Sequence, residues 1–107
     1  AGRYTDIHAP CAIVVCGSLS RALPMQLSEY WIQDCSAATE NILIGAVSIG
    51  LGTVWCGIYP QKNPMKKVAE ALNLTNKQIP LNIIFTGHPD QTPESRDQYE
   101  EKRIHWL

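Results

Sequence analysis

Residues 30–59 read YWIQDCSAATENILIGAVSIGLGTVWCGIY, and this stretch decides the fold that the sequence predicts. It begins as an amphipathic helix and then becomes apolar on nearly every face. The residues that recur at helical spacing are Trp31, Cys35, Ala38, Ile42 and Ala46. We predict one long helix over residues 28–49, ended by Gly50. Because a helix that is apolar all round must be covered on all sides, we expect either a partner subunit or a part of the domain absent from this chain to cover it.

Three apolar, β-branched runs on either side of that helix predict strands over residues 11–16, 53–59 and 80–86, the first of them buried on both faces. Asn63 and Pro64 form an N-cap and first-position pair, which predicts a short helix over residues 64–72. Its predicted inner face is Met65, Val68, Ala69 and Leu72. Residues 1–10 have the character of a lead-in segment. Residues 88–107 form a polar C-terminal arm whose apolar end should dock against another surface. We therefore expect a single α+β domain over residues 1–107.

The composition argues against several classes of protein: nucleic-acid-binding, membrane-spanning and metal-binding. The chain has 107 residues, 45% of them hydrophobic and 18% charged, with a net charge of -1. No basic stripe is present, which argues against nucleic acid as a partner. The longest apolar run is too short and too interrupted to span a membrane. Four cysteines fit no metal-binding spacing, and we interpret them as buried, reduced, small apolar side chains of a cytoplasmic protein.

No catalytic constellation follows from the residues alone. The sequence contains no GxSxG, no Walker loop, no GxGxxG after a strand and no HExxH. Gly50 and Gly52 follow a predicted helix instead of preceding one, so they indicate a cap and a tight turn. His8, His88 and His105 are scattered along the chain. We therefore predict no catalytic side chain and no metal site.

Five motifs occur together in a fixed order along nearly the whole chain. They are APCAIVVCG at residues 9–17, WIQDCSAATENIL at 31–43, GLGTVWCGIYP at 50–60, IPLNIIFTGHP at 79–89, and Tyr99 with RIHW at 103–106. This ordered set resembles the nitroreductase family of FMN-dependent oxidoreductases. The resemblance implies an α+β fold with an antiparallel-type sheet around a long central helix. It also implies an intertwined homodimer with FMN at the subunit interface, the C-terminal arm crossing onto the neighbouring subunit.

The same resemblance assigns cofactor-binding residues. Trp55, Cys56 and Gly57 match the segment beside the flavin ring, where a glycine allows a backbone N–H to approach closely. Arg96 matches a residue that contacts the FMN phosphate, for which a guanidinium fork is well suited. The alternative is that Gly57 marks a bend or bulge in a strand and that Arg96 is a solvated loop charge.

The implied activity is electron transfer from NAD(P)H through FMN to a nitroaromatic, quinone or similar acceptor, with no protein acid or base required. The sequence departs from the family pattern in two places. Glu94 stands where many relatives carry a second basic residue, and the family's N-terminal region, with its arginine-rich phosphate motif, is absent from this chain. One alternative is a truncated or degenerate relative that serves as a non-catalytic dimeric or flavin-binding module. Another is a thiol-based redox or metal protein that uses its cysteines.

Overall fold

The structure is a computed structural model that describes residues 7–107, so residues 1–6 of the expected lead-in segment lie outside it. Its elements in chain order are strand β1 (Cys11–Ser18), helix α1 (Tyr30–Ser48), strand β2 (Gly52–Gly57), helix α2 (Lys62–Leu72) and strand β3 (Gln78–Gly87). Short 3-10 turns occupy Met25–Glu29 and Glu101–Arg103. The predicted α+β class is confirmed, and the long helix differs from its predicted bounds only at the ends.

The three strands form one antiparallel sheet in the order β1–β3–β2. The run PLNIIFT lies in the central strand, where it is mostly buried. The prediction that the first strand is buried on both faces is wrong, because Cys11, Ala12 and Ile13 are exposed. β1 is an edge strand in the part of the chain that the structure describes, and α1 is the helix that packs on it. A continuous apolar run does not by itself distinguish a central strand from an edge strand.

The face of α1 that meets the sheet is set by Trp31, Thr39 and Ala46, its buried residues. The predicted inward position Ala38 is instead exposed, and Thr39 takes its place. Thr39 tolerates burial because its hydroxyl is satisfied: Oγ1 donates to the backbone oxygen of Cys35 at 2.7 Å and accepts from Asn82 Nδ2 at 2.9 Å. Apolarity alone predicts that Ala38 is the buried residue. Thr39 is buried instead, because its hydroxyl is paired with Asn82.

Helix α1 ends as predicted at Gly50, which has a φ of 81°. The Gly50 N–H donates to the Val47 oxygen at 3.1 Å, and the Leu51 N–H donates to the Ala46 oxygen at 2.9 Å. This pair of bonds is the Schellman motif, in which a left-handed glycine satisfies the last carbonyls of a helix. The turn leads the chain directly into β2.

The short helix begins two residues earlier than predicted. Gln61 is its N-cap residue, so Asn63 and Pro64 lie inside the first turn and the predicted Asn63 cap is wrong. Proline is tolerated at this position because N–H groups of the first turn have no partner within the helix. Leu72, predicted on the inner face, is 49% exposed, because it is the last residue of the helix.

Apolar surface remains uncovered at several places in residues 7–107, among them the end of α1 and the C-terminal arm. Ile44, Val47 and Ile49 near the end of α1 are 60%, 72% and 72% exposed. The C-terminal arm is exposed throughout, and Trp106 does not dock on its own chain, being 91% exposed. The expectation that this chain cannot cover its long helix alone is therefore confirmed for the described residues. None of the helices in that range is both long and apolar enough to cross a membrane.

Candidate functional site

Strand β2 places Trp55 and Gly57 on one face of the sheet and Cys56 on the other. The register pairs Trp55 with Ile84, Cys56 with Ile83 and Gly57 with Asn82. Directly opposed residues in an antiparallel pair share a face, and successive residues alternate between faces. Since the Asn82 side chain bonds to α1, Trp55 and Gly57 belong to the face that α1 covers.

Gly57 presents a backbone N–H at the edge of the sheet. The next residue, Ile58, donates its N–H to the Leu81 oxygen at 2.9 Å. Backbone groups of successive residues in an antiparallel pair point alternately toward and away from the partner strand, so the Gly57 N–H is directed away from β3. A Cβ built on Gly57 would meet nothing within 4 Å. Among residues 7–107, the sheet edge at Gly57 therefore offers a backbone donor, and the sheet face is unfilled where a side chain would project, which suits the rim of a planar polar ligand.

The two side chains next to Gly57 differ in what they can contribute. Trp55 is 37% exposed and shares the face of Gly57, so its indole can form part of an apolar wall. Cys56 is buried, and burial raises the pKa of its thiol above the ordinary value. A protonated, buried thiol is a poor nucleophile. Any contact of Cys56 with a ligand at the edge would use its backbone, because its side chain is buried on the other face of the sheet.

An aromatic contact that the sequence did not reveal anchors the end of β2. Tyr59, two residues after Gly57, meets Trp31 of α1 edge-to-face, with ring centroids 5.0 Å apart and an interplanar angle of 75°. The Trp31 ring lies so close to Gly17 of β1 that a Cβ there would overlap it. The peptide bond between Tyr59 and Pro60 is cis. These contacts join β1 and α1 to the segment that carries Gly57.

Asn82 is a second feature that sequence reasoning missed. It is fully buried opposite Gly57, its Nδ2 bonds to Thr39, and its Oδ1 has no hydrogen-bond partner among residues 7–107. A signal was present, since Asn82 is the one amide in the apolar run PLNIIFT. Polar side chains inside a buried strand are retained where they find a partner. Asn82 fixes the position of α1 over the middle of the sheet.

Arg96 lies apart from β2 by sequence, in the exposed and irregular stretch that follows β3. No side-chain hydrogen bond or ion pair found among residues 7–107 involves it, whereas Arg103 is paired with Glu100. Its guanidinium is thus available for an anionic group. Glu94, also exposed, stands two positions earlier. The predicted site residues therefore lie in two separate parts of the sequence. Residues 55–57 belong to the edge strand β2, and Arg96 lies in the arm, where it pairs with no side chain of residues 7–107.

A cavity beside β2 and the positions of the possible metal ligands also bear on what the chain could bind. A cavity of about 720 Å³ lies at the beginning of β2, with Pro10, Val54, Phe85 and His88 among its lining residues. It contains none of the predicted site residues. Among the residues that the structure describes, no group of three or more histidine, cysteine, aspartate or glutamate side chains is placed to hold a metal ion.

The fold, an antiparallel sheet with a long helix across it, has counterparts among solved nitroreductase structures. A sequence profile described as "Nitroreductase family" matches residues 3–88. The chain belongs to the nitroreductase family.

Three relatives illustrate the match. A protein of Methanothermobacter thermautotrophicus, named "Putative NADH dehydrogenase/NAD(P)H nitroreductase", is 38% identical over 97 residues, covering 91% of this chain and 49% of that protein. A crystal structure under the same name from Bacteroides thetaiotaomicron is 40% identical with a TM-score of 0.82, covering 92% of this chain and 55% of that one. The NADPH:FMN oxidoreductase of Vibrio harveyi, solved with NAD+, is 28% identical with a TM-score of 0.74, covering 92% and 46%. The chain thus spans about half the length of these relatives.

Proposed function

We propose that this chain is part of an FMN-dependent NAD(P)H oxidoreductase that acts on nitroaromatic, quinone or similar acceptors. The observation that carries the proposal is Gly57, whose N–H is directed away from β3 at the sheet edge and whose missing side chain leaves the sheet face open. The names of two relatives support it. One is named "Putative NADH dehydrogenase/NAD(P)H nitroreductase", and the other is an NADPH:FMN oxidoreductase. When bound, FMN supplies the redox chemistry by accepting a hydride from NAD(P)H and passing electrons to the acceptor.

The residues of this chain fit a flavin in complementary ways. The Gly57 N–H would donate to a polar atom on the rim of the ring, and the missing side chain leaves room for that approach. Trp55 would supply apolar surface beside the ring. Arg96 would pair with the phosphate through its guanidinium fork. None of these roles needs a protein acid or base, in agreement with the absence of a catalytic motif in the sequence.

The direct test uses the enzyme that includes this chain, purified and incubated with FMN. We expect visible flavin absorbance that persists after gel filtration, and oxidation of NADH or NADPH that depends on FMN and on an added quinone or nitroaromatic. A protein that retains no flavin even after FMN has been added would overturn the proposal.

A second candidate is a non-catalytic flavin-binding module. Glu94 favours it, because a carboxylate two residues from Arg96 opposes an approaching phosphate. The same preparation separates the two candidates. A binding module would hold flavin and show no oxidation of NADH or NADPH, whereas the enzyme would show both.

The uncovered surface supports a homodimer. Ile44 and Val47, three positions apart on one face of α1, are exposed, as is Ile49 just beyond the helix, and the arm carries the exposed Trp106. Exposed apolar patches of this kind mark interfaces in soluble proteins. We propose that a second copy covers the helix and receives the arm. Analytical ultracentrifugation tests this directly, with Val47→Glu expected to shift the protein toward the monomer.

The four cysteines are all free thiols, which fits the cytoplasmic location expected from the sequence.

A further inference from the structure

The prediction that all four cysteines are buried apolar side chains is wrong. Cys56 is buried, Cys11 is exposed, and Cys16 and Cys35 are half-buried. Those last two lie on different elements, β1 and α1, and both line one small cavity of about 160 Å³. The other lining residues include Gly17, Arg21, Trp31 and Asp34. Neither thiol belongs to the edge of β2 described above.

The two thiols are neighbours electrostatically as well as in space. Burial raises the pKa of Cys16, and the charge of Cys35 raises it further. Burial likewise raises the pKa of Cys35, with a further contribution from the Asp34 carboxylate. The cavity leaves both sulfurs partly accessible to a small reagent.

We propose that Cys16 and Cys35 form a reversible intramolecular disulfide when the protein meets a low-molecular-weight disulfide. At a pH high enough to ionise one of these two thiols, its thiolate attacks a sulfur of the small disulfide, forming a mixed disulfide and releasing one small thiol. The second cysteine then attacks the protein sulfur of that mixed disulfide and releases the other small thiol. Two protein thiols are oxidised, one small disulfide is reduced, and the two cysteine protons end on the two released thiols.

The Cys16–Cys35 disulfide would constrain the region where β1 meets α1. It would close the chain over residues 16–35 and tie edge strand β1 to the first half of α1. Trp31, which lines the same cavity, contacts Tyr59 just beyond β2. Closing a loop restricts the unfolded chain, so oxidation should raise the thermal unfolding midpoint. This inference is independent of the flavin site and stands whether or not the protein binds FMN.

The test compares two double variants treated with hydroxyethyl disulfide and then alkylated. Of the four cysteines in this chain, Cys11→Ser with Cys56→Ala keeps only Cys16 and Cys35, and trypsin cuts between these two at Arg21. We expect a complete loss of both free thiols, no retained small thiol, and one disulfide-linked tryptic pair. Cys16→Ser with Cys35→Ser is the matched control and should form no intramolecular disulfide.

The unsubstituted protein supplies a measurement that does not depend on variant folding. After the same treatment, fragmentation of the linked peptides should join Cys16 to Cys35. Any of three results would overturn the proposal: linkage of a different pair, separate mixed disulfides on Cys16 and Cys35, or two unreacted thiols while Cys11 has reacted.

Discussion

Asn82 and Thr39, 43 positions apart in the chain, are joined by a buried hydrogen bond in which Asn82 Nδ2 donates to Thr39 Oγ1 at 2.9 Å. The threonine hydroxyl donates in turn to the Cys35 oxygen at 2.7 Å. The other amide atom, Asn82 Oδ1, is buried and finds no partner in the part of the chain that the structure describes. Because a buried polar group without a partner is costly, the Thr39 bond ties one helical position to the middle of β3. A shift of α1 along the sheet would leave the whole amide unpaired.

Thr39→Val is therefore expected to destabilise the protein although the two side chains are nearly isosteric. The substitution removes the acceptor for Asn82 Nδ2 and leaves a second unpaired atom, at a cost of about 1–3 kcal/mol. Urea unfolding measures the change, with Thr39→Ser as the control that keeps the hydroxyl. Equal midpoints for the valine and serine variants would contradict this account of the bond.

Gly17→Ala is expected to disturb the aromatic anchor at the end of β2. An added Cβ would overlap the Trp31 ring, so the indole must move and its contact with Tyr59 is weakened. We expect a loss of about 1–3 kcal/mol, the usual cost of overpacking. Thermal unfolding and near-UV circular dichroism would report it.

Gly45→Ala is the matched control for that substitution. A Cβ at this helical glycine meets nothing within 4 Å, and alanine should stabilise the helix by about 0.5–1 kcal/mol. Loss of stability in both variants would indicate a general sensitivity of the fold to glycine replacement, and would remove the specific role assigned to Gly17.

The strands, the helices and the glycine at the end of α1 could be predicted because each depends on local pattern. The exposed first half of β1 could not, since a run of apolar residues has the same local pattern at an edge as at the centre of a sheet. Thr39 in place of Ala38 was missed for a related reason, because its burial depends on Asn82, far away in sequence. Residues 55–57 are predicted as site residues only through their resemblance to a family. The direction of the Gly57 N–H needed the strand register.

Burial of Cys56 makes stability depend on pH in a defined direction. Burial raises the pKa of its thiol above the ordinary value of 9.0. A raised folded-state pKa means that the folded protein holds this proton more tightly than the unfolded chain. Its contribution to stability is complete below the unfolded pKa and is lost as pH rises through the folded pKa. The free energy of unfolding should therefore fall as pH rises past about 9.

Cys56→Ala isolates this contribution. The variant should be less stable at neutral pH, because a buried side chain has been shortened. Above the thiol pKa its stability should decline less steeply with pH than that of the unsubstituted protein. Urea unfolding at a series of pH values provides both profiles, and parallel profiles would show that the Cys56 thiol does not titrate differently in the two states.

Gly57→Val tests the proposed flavin contact at the edge of β2 separately from the stability of the fold. The position opens onto empty space in this chain, and valine suits a strand, so stability should be unchanged or slightly higher. A branched side chain would instead prevent a ring from approaching the Gly57 N–H. We expect FMN affinity to fall at least about tenfold, or about 1.4 kcal/mol. Flavin fluorescence titration measures it, with Gly45→Ala as a control that should bind normally. Undiminished affinity in the valine variant would exclude this edge as the contact.

Arg96→Gln separates phosphate recognition from ring recognition. If the guanidinium pairs with the phosphate, the variant should lose affinity for FMN, on the order of tenfold for an exposed charge-assisted bond. Its affinity for riboflavin, which lacks the phosphate, should be unchanged. Arg103→Gln is the matched control, because Arg103 is already paired with Glu100. Glu94→Gln should have the opposite effect on FMN, since it removes a nearby negative charge. An equal loss for FMN and riboflavin in the Arg96 variant would place Arg96 away from the phosphate.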